Sequence, residues 1–105
     1  MRFQDKVAVI TGAADGIGRA TSRILAGEGA HLVAVDINPA ALAALAEEIE
    51  TGGGIVTTME VNVLDSQQAE VMVDSVVSRL GKIVILVNAV GGSTIIPNTR
   101  ATGYA

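Results

Sequence analysis

Short apolar segments rich in β-branched residues alternate with segments of helical periodicity along most of this chain. This alternation constrains the fold more than any other feature. The apolar segments cover residues 6–11, 31–36, 55–62 and 83–88. Such short, continuously apolar runs are typical of strands buried in a parallel sheet. Right-handed crossovers through the intervening helices place the strands side by side, with helices on both faces. The sequence therefore predicts an α/β fold with a doubly wound parallel sheet of four strands.

The predicted helices have recognisable starts and ends. The first begins at about Ile17, where apolar residues start to recur at three- and four-residue steps. Asn38 stands before a proline suited to a first helical turn, and Asp65-x-x-Gln68 matches a capping box, so these positions predict two further starts. Glycines are predicted to end the three helices. They are Gly27 and Gly29, then Gly52 to Gly54, and finally Gly81.

Composition excludes several classes of function. A chain of 105 residues is predicted to form one domain over residues 1–105. A net charge of -4 with 2% aromatic residues argues against nucleic acid as a partner. The absence of cysteine and the single histidine argue against disulfides and a zinc site, and we expect a cytoplasmic protein without metal. The aliphatic run from Ile83 to Val87 is far shorter than the roughly 20 residues that cross a bilayer, so no membrane association is expected.

A glycine-rich segment separates the first strand from the first helix. It reads Thr-Gly-Ala-Ala-Asp-Gly-Ile-Gly over residues 11–18. Glycines permit a tight turn and close backbone approach, while the helix start presents N–H groups and a positive dipole end to phosphate. The segment therefore predicts a dinucleotide-binding loop, with a plain flexible turn as the alternative. The candidate contacts are Gly12, Asp15, Gly16, Ile17 and Gly18.

Asp36 supports the same interpretation. It ends the second strand about 20 residues after the glycines, where a carboxylate can accept hydrogen bonds from both hydroxyls of the adenosine ribose. A strand-terminal aspartate without this role is the alternative. Because Asp15 is also acidic and Ile37 is apolar, a 2′-phosphate meets negative charge and no evident cation. The sequence therefore favours NAD over NADP as the cofactor.

These residues together resemble the short-chain dehydrogenase/reductase family. Its glycine motif, Thr-Gly-x-x-x-Gly-x-Gly, is matched by Thr11, Gly12, Gly16 and Gly18. The resemblance implies a Rossmann-type fold with sheet order 3-2-1-4. It also implies an oxidoreductase that transfers hydride between NAD(P) and an alcohol or carbonyl substrate.

The resemblance extends along nearly the whole chain. Residues 62–65, Asn-Val-Leu-Asp, are similar to an Asp-Val-x-Asp segment that contacts adenine in the family. Residues 86–91, Leu-Val-Asn-Ala-Val-Gly, are similar to the family's Leu-Val-Asn-Asn-Ala-Gly. The resemblance thus adds Asn62, Val63 and Asn88 as candidate cofactor residues, and for Asn88 a local role at the strand end is an equal alternative. Three positions depart from the family pattern, namely Asn62, Val84 and Ala89.

The family's catalytic residues are not matched within this chain. Hydride transfer in the family depends on a Tyr-x-x-x-Lys pair and an upstream serine that follow the fourth strand. Tyr104 follows too soon, and its lysine would fall beyond residue 105. No catalytic residue is therefore assigned, and the chain by itself is predicted to bind cofactor without turnover, as the front part of an enzyme.

Two alternatives and one further expectation remain open. A non-catalytic nucleotide-binding or sensing module would share the same fold and loop. A flavodoxin-like receiver domain is disfavoured, because the first loop carries glycines where such domains hold an acidic magnesium site.

The pattern after Ala89 predicts a loop, which leaves residues 83–87 as an apolar strand at an open edge of the sheet. Such an edge predicts self-association through the fourth strand or a homo-oligomer.

Overall fold

The computed structural model describes residues 2–83, 85–89 and 94–95. Its sheet has the strand order β3-β2-β1-β4-β5, in which the first four strands are parallel and β5 is antiparallel to β4. The elements are β1 (Val7–Thr11), α1 (Gly16–Gly27), β2 (His31–Asp36), α2 (Pro39–Thr51), β3 (Ile55–Glu60), α3 (Ser66–Leu80), β4 (Ile85–Asn88) and β5 (Thr94–Ile95). The predicted parallel sheet with order 3-2-1-4 is confirmed.

Helices cover both faces of this sheet. Successive side chains of a strand point to opposite faces, so β1 places Ala8 and Ile10 on one side and Val7 and Val9 on the other. The first side packs against buried residues of α1 and α2, and the second packs against α3. All five residues of β1 are buried, which explains why the central strands read as continuous apolar runs.

The helix caps follow the local sequence closely. The side chain of Asn38 accepts a hydrogen bond from Ala41 N at 3.1 Å, and that of Asp65 accepts from Gln67 N at 3.0 Å. The expected capping box is only half formed, because Gln68 Oε1 accepts from the backbone N–H of Asn62 at 3.0 Å and not from that of Asp65. In the described ranges, no helix combines the length and hydropathy that a membrane-spanning segment requires.

The edge beyond β4 differs from the sequence prediction. Ile83, where the fourth strand was expected to begin, is not part of a strand. The described strand is Ile85–Asn88, and its outer edge is not fully open. Val87 and Asn88 pair with the two-residue strand β5, where the sequence predicted only loop. Unpaired backbone groups on an apolar edge strand favour pairing with any extended segment that returns to them, which local sequence cannot reveal.

The third strand is shorter than the sequence predicted. The third strand ends at Glu60 and not at Asn62, because the backbone leaves the ladder after Val61 N bonds to Asp36 O at 3.1 Å. Val84 and Tyr104 lie outside the described residues.

Candidate functional site

A cleft of about 390 Å³ opens at the carboxyl ends of the parallel strands. On one side of the cleft the chain leaves β1 toward β2, and on the other side β4 ends. Ligands of doubly wound sheets bind at this point, where the strand order reverses. Seven of the nine candidate residues line the cleft, namely Gly12, Asp15, Gly16, Ile17, Asp36, Asn62 and Val63. Gly18 and Asn88 are not in its wall.

The glycine loop adopts a conformation that requires glycine. Gly12 has φ +67° and Gly16 has φ +53°, both in the left-handed region that other residues rarely enter. Gly18 is buried, and a Cβ at this position would lie 2.0 Å from the carbonyl oxygen of Gly12. Gly18 therefore acts by letting α1 approach the loop, and its absence from the cleft wall follows from that close packing.

The start of α1 supplies backbone donors at the cleft. Asp15 is the N-cap residue, and its Oδ1 accepts from Gly16 N at 2.8 Å. The first helical hydrogen bond runs from Arg19 N to Asp15 O at 3.2 Å. The N–H groups of Ile17 and Gly18 belong to the first turn, between Gly16 and Arg19. N–H groups in a first turn have no carbonyl partner within the helix. Together with the helix dipole they form a site suited to an anion.

Asp36 links the second strand to the loop. Its Oδ2 accepts from Ala14 N at 3.1 Å, and its Oδ1 accepts from Asn38 N at 3.1 Å. A carboxylate offers about four acceptor positions, so each oxygen can accept a second hydrogen bond from a ligand. Asp36 is half-buried and lines the cleft. It can therefore hold the loop in place and bind a hydroxyl group at the same time.

The charge around the cleft is negative. Asp15 and Asp36 both contribute to its wall, and the described lining residues include no lysine, arginine or histidine. A single anionic group fits the helix start, whereas a second phosphate near Asp36 would meet carboxylate oxygens.

Large apolar side chains stand exposed around the cleft. Ile17 is 59% exposed, Ile37 is 66% exposed and Leu64 is 81% exposed. Exposed apolar groups that cluster at a concave surface mark ligand-binding sites. The sequence did not predict Ile37 or Leu64 as site residues, although each directly follows a candidate residue. Val35, Val61 and Ala89 are further lining residues that it missed.

Asn62 takes part in a turn as well as in the cleft. Its Oδ1 accepts from Leu64 N at 3.1 Å, and its backbone N–H donates to Gln68 Oε1. The side-chain amide nitrogen is then the group that can donate to a ligand. The neighbouring Val63 is half-buried beside it.

Asn88 lies beside the loop and not in the cleft wall. Thr11 Oγ1 donates to Asn88 Oδ1 at 2.9 Å, which joins the ends of β1 and β4. The next residue, Ala89, lines the cleft and donates its backbone N–H to Thr11 O at 3.1 Å. The described contacts of Asn88 therefore favour a role in holding the two strand ends together.

Three described groups outside the cleft have a shifted pKa, namely Arg23, His31 and Glu48, and the pKa of Arg23 is raised by its hydrogen bond to Glu48. Burial lowers the pKa of His31, whose Nε2 lies 2.9 Å from Thr57 Oγ1 at the opposite end of the sheet. Hydrogen bonds from Arg23, with a smaller contribution from Arg19, lower the pKa of Glu48 from 4.5 to about 2. The Arg19 and Arg23 pairs with Glu48 connect α1 to α2 and do not contact the candidate site.

Comparisons with known proteins agree with this geometry. The family model described as short chain dehydrogenase matches residues 6–102. The chain is 44% identical over 91 residues to the 3-oxoacyl-acyl-carrier-protein reductase FabG of Thermotoga maritima, covering 87% of this chain and 37% of that protein. The chain thus spans little more than a third of the length of the curated relatives that it matches.

Solved structures show the same fold with cofactors bound. A metagenomic short-chain oxidoreductase in complex with NADP matches with a TM-score of 0.79 and 29% identity, covering 82% of this chain and 39% of that one. A xylitol dehydrogenase with bound NAD+ matches with a TM-score of 0.77 and 34% identity, covering 82% of this chain and 33% of that one. The glycine loop, the sheet order and these matches lead to one conclusion: the chain belongs to the short-chain dehydrogenase family.

Proposed function

We propose that this chain binds NAD as the cofactor-binding part of a short-chain oxidoreductase. The whole protein would transfer hydride between NAD and an alcohol or carbonyl substrate. One observation carries the proposal. A cleft at the switch point of the sheet brings together a glycine loop, a helix start and a strand-terminal aspartate.

The pyrophosphate, the adenosine ribose and the adenine would each have a matching group at the cleft. The N–H groups of Ile17 and Gly18 would bind the pyrophosphate at the start of α1. Asp36 would accept hydrogen bonds from the hydroxyls of the adenosine ribose, in addition to the two backbone bonds it already accepts. Ile37 and Leu64 would contact the adenine ring, which explains why such large apolar side chains stand exposed there.

The two carboxylates support NAD over NADP. Relatives of similar fold bind one cofactor or the other, so fold alone does not choose. A 2′-phosphate next to Asp36 would be repelled by that carboxylate and by Asp15. The apolar Ile37 offers no cation in compensation.

The cofactor and the residues of the cleft would have different tasks in the reaction. When bound, the nicotinamide ring supplies the hydride acceptor or donor. The described residues would hold the pyrophosphate and the adenosine ribose, and in this way they would orient the nicotinamide ring. Activation of the substrate oxygen would come from the serine, tyrosine and lysine that the family resemblance places after the fourth strand.

Titration calorimetry on the purified protein tests the proposal. NAD is expected to bind saturably and about 10-fold or more tighter than NADP, which corresponds to about 1.4 kcal/mol. Absence of NAD binding, or a preference for NADP, would overturn it. Formation of NADH from a panel of alcohols then tests the oxidoreductase part. This assay requires a protein that includes the serine, tyrosine and lysine expected after the fourth strand. If that protein bound NAD saturably but reduced it with no alcohol, a sensing module would be favoured instead.

A further inference from the structure

Ser22 is a buried serine on α1, one turn after Gly18. Its exposed fraction is 0%, and its hydroxyl donates to the carbonyl oxygen of Gly18 at 2.7 Å. A buried hydroxyl costs free energy unless it is bonded, and alanine has the higher helix propensity. If this position only had to fill space in the core, alanine would be the more stable choice. The presence of serine therefore points to a role for its hydrogen bond to Gly18.

The bond from Ser22 acts on a peptide group that also anchors the helix start. The carbonyl of Gly18 and the N–H of Arg19 belong to one peptide unit. The Arg19 N–H donates to Asp15 O at 3.2 Å, which is the first helical hydrogen bond of α1. Hydrogen bonds at the two ends of a peptide unit polarise each other. By this polarisation the Ser22 hydroxyl would strengthen the bond from Arg19 N–H to Asp15 O, which sets the first turn against its N-cap residue.

The same peptide unit lies against the glycine loop. Gly18 packs so closely on Gly12 that a Cβ would lie 2.0 Å from the Gly12 carbonyl oxygen. A small tilt of the first turn would therefore move either the loop or the N–H groups of Ile17 and Gly18. The hydroxyl of Ser22 holds this unit from the side of the helix that faces the core.

We infer that Ser22 is a positioning residue for the pyrophosphate of the cofactor. Its hydroxyl holds the peptide unit between Gly18 and Arg19, so that the first-turn N–H groups point to one anion position. This inference rests on the proposed function and deepens it. It assigns Ser22 to the phosphate half of the site, whereas Asp36 and Ile37 form the adenosine half.

Binding of two fragments of the cofactor separates these halves. ADP carries the pyrophosphate, and adenosine lacks it. We expect Ser22→Ala to weaken ADP binding about 3- to 10-fold, the range of one modest hydrogen bond, and to leave adenosine binding unchanged. The denaturation midpoint should change little, because the backbone N–H of residue 22 still bonds to the Gly18 carbonyl. Ser78→Ala on α3 is the matched control, since Ser78 is an exposed helical serine outside the cleft.

A second variant separates the hydrogen bond from the packing. Ser22→Cys keeps nearly the same volume but donates weakly, so it should weaken ADP binding as Ser22→Ala does. ADP binding by Ser22→Cys equal to that of the wild type would overturn the inference. An equal loss of ADP and adenosine binding in Ser22→Ala would also overturn it, since it would show a general structural effect.

Amide hydrogen exchange gives a readout that does not depend on nucleotide. Exchange at Arg19 should be faster in Ser22→Ala than in the wild type and unchanged in Ser78→Ala. Unchanged exchange at Arg19 would remove the basis for a positioning role. If the wild type binds neither adenosine nor ADP, the proposed function fails and the inference fails with it. If both bind normally to Ser22→Ala, only the inference fails.

Discussion

The hydroxyl of Thr11 donates to Asn88 Oδ1 across 2.9 Å, between residues that are 77 positions apart in the sequence. Thr11 is 4% exposed and ends β1, while Asn88 ends β4. The contact ties together the two strand ends that flank the candidate cofactor site. It also gives Thr11, the first residue of the glycine motif, a structural role of its own.

Thr11→Val should lower the free energy of unfolding by about 1–2 kcal/mol. Valine has nearly the same shape as threonine but removes a buried donor, and the acceptor on Asn88 loses that partner. Thr11→Ser keeps the hydroxyl and should retain more of this stability. Urea denaturation of the three proteins checks the prediction. A midpoint for Thr11→Val equal to that of the wild type would contradict it.

Gly18→Ala should abolish NAD binding and reduce stability by about 1–3 kcal/mol, as overpacking does. The added Cβ would lie 2.0 Å from the carbonyl oxygen of Gly12 and 2.7 Å from its carbonyl carbon, and backbone atoms cannot yield as a flexible side chain does. Gly27→Ala is the matched control in the same helix, because a Cβ there meets open space. It should be neutral or stabilise by about 0.5–1 kcal/mol. Normal NAD binding by Gly18→Ala would show that the close approach is not required.

Asp36→Ala should weaken NAD binding by about 1.5–3 kcal/mol, the range of a hydrogen bond to a charged group. Since Asp36 also holds the N–H groups of Ala14 and Asn38, the loss alone does not prove contact with the ribose. The wild type should therefore prefer ADP over 2′-deoxyADP, and Asp36→Ala should bind both alike. If that preference persists in the variant, Asp36 does not read the hydroxyl.

Ile37→Arg should shift cofactor preference toward NADP. The side chain is 66% exposed and adjoins Asp36, so an arginine there costs little packing and supplies a cation for the 2′-phosphate. We expect the ratio of NADP to NAD affinity to rise about 3- to 10-fold at low salt and less at high salt. Ile24→Arg adds the same charge at a similarly exposed position outside the cleft. An equal shift in both variants would indicate a general charge effect.

Glu48 should make stability depend on pH in the acid range. Its pKa is lowered in the folded protein from 4.5 to about 2, chiefly by the hydrogen bond from Arg23. A lowered carboxyl pKa stabilises the fold above pH 4.5, and this stabilisation is lost as pH falls toward about 2. Urea midpoints at several pH values should show a smaller acid decline for Glu48→Gln than for the wild type, with Glu47→Gln as the control. Identical declines in Glu48→Gln and the wild type would contradict the role of this ion pair.

Much of the fold could be predicted because its signals are local. Strand runs, helix periodicity and the caps at Asn38 and Asp65 depend on contacts within a few residues. The signal for the glycine loop is also local, because the left-handed φ at Gly12 and Gly16 depends on the residue type at each position. Four of the cleft-lining candidates come from this local loop pattern, whereas Asp36 came from its spacing and Asn62 and Val63 came from the family resemblance.

Features that join distant segments could not be predicted from local sequence. The pairing of β4 with β5, the Thr11 contact with Asn88 and the ion pairs of Glu48 each depend on which elements lie side by side. Periodicity does not say whether an apolar residue is covered, so Ile37 and Leu64 became recognisable as cleft residues only from their exposure. Local sequence was enough to predict the first four strands, the three helices, their order and the glycine loop. The packed structure showed that Gly18 acts by close contact and that Asn88 supports a strand end. It also showed which apolar side chains surround the cleft. Burial and cross-strand hydrogen bonds depend on how all the elements pack together, so local sequence does not contain them.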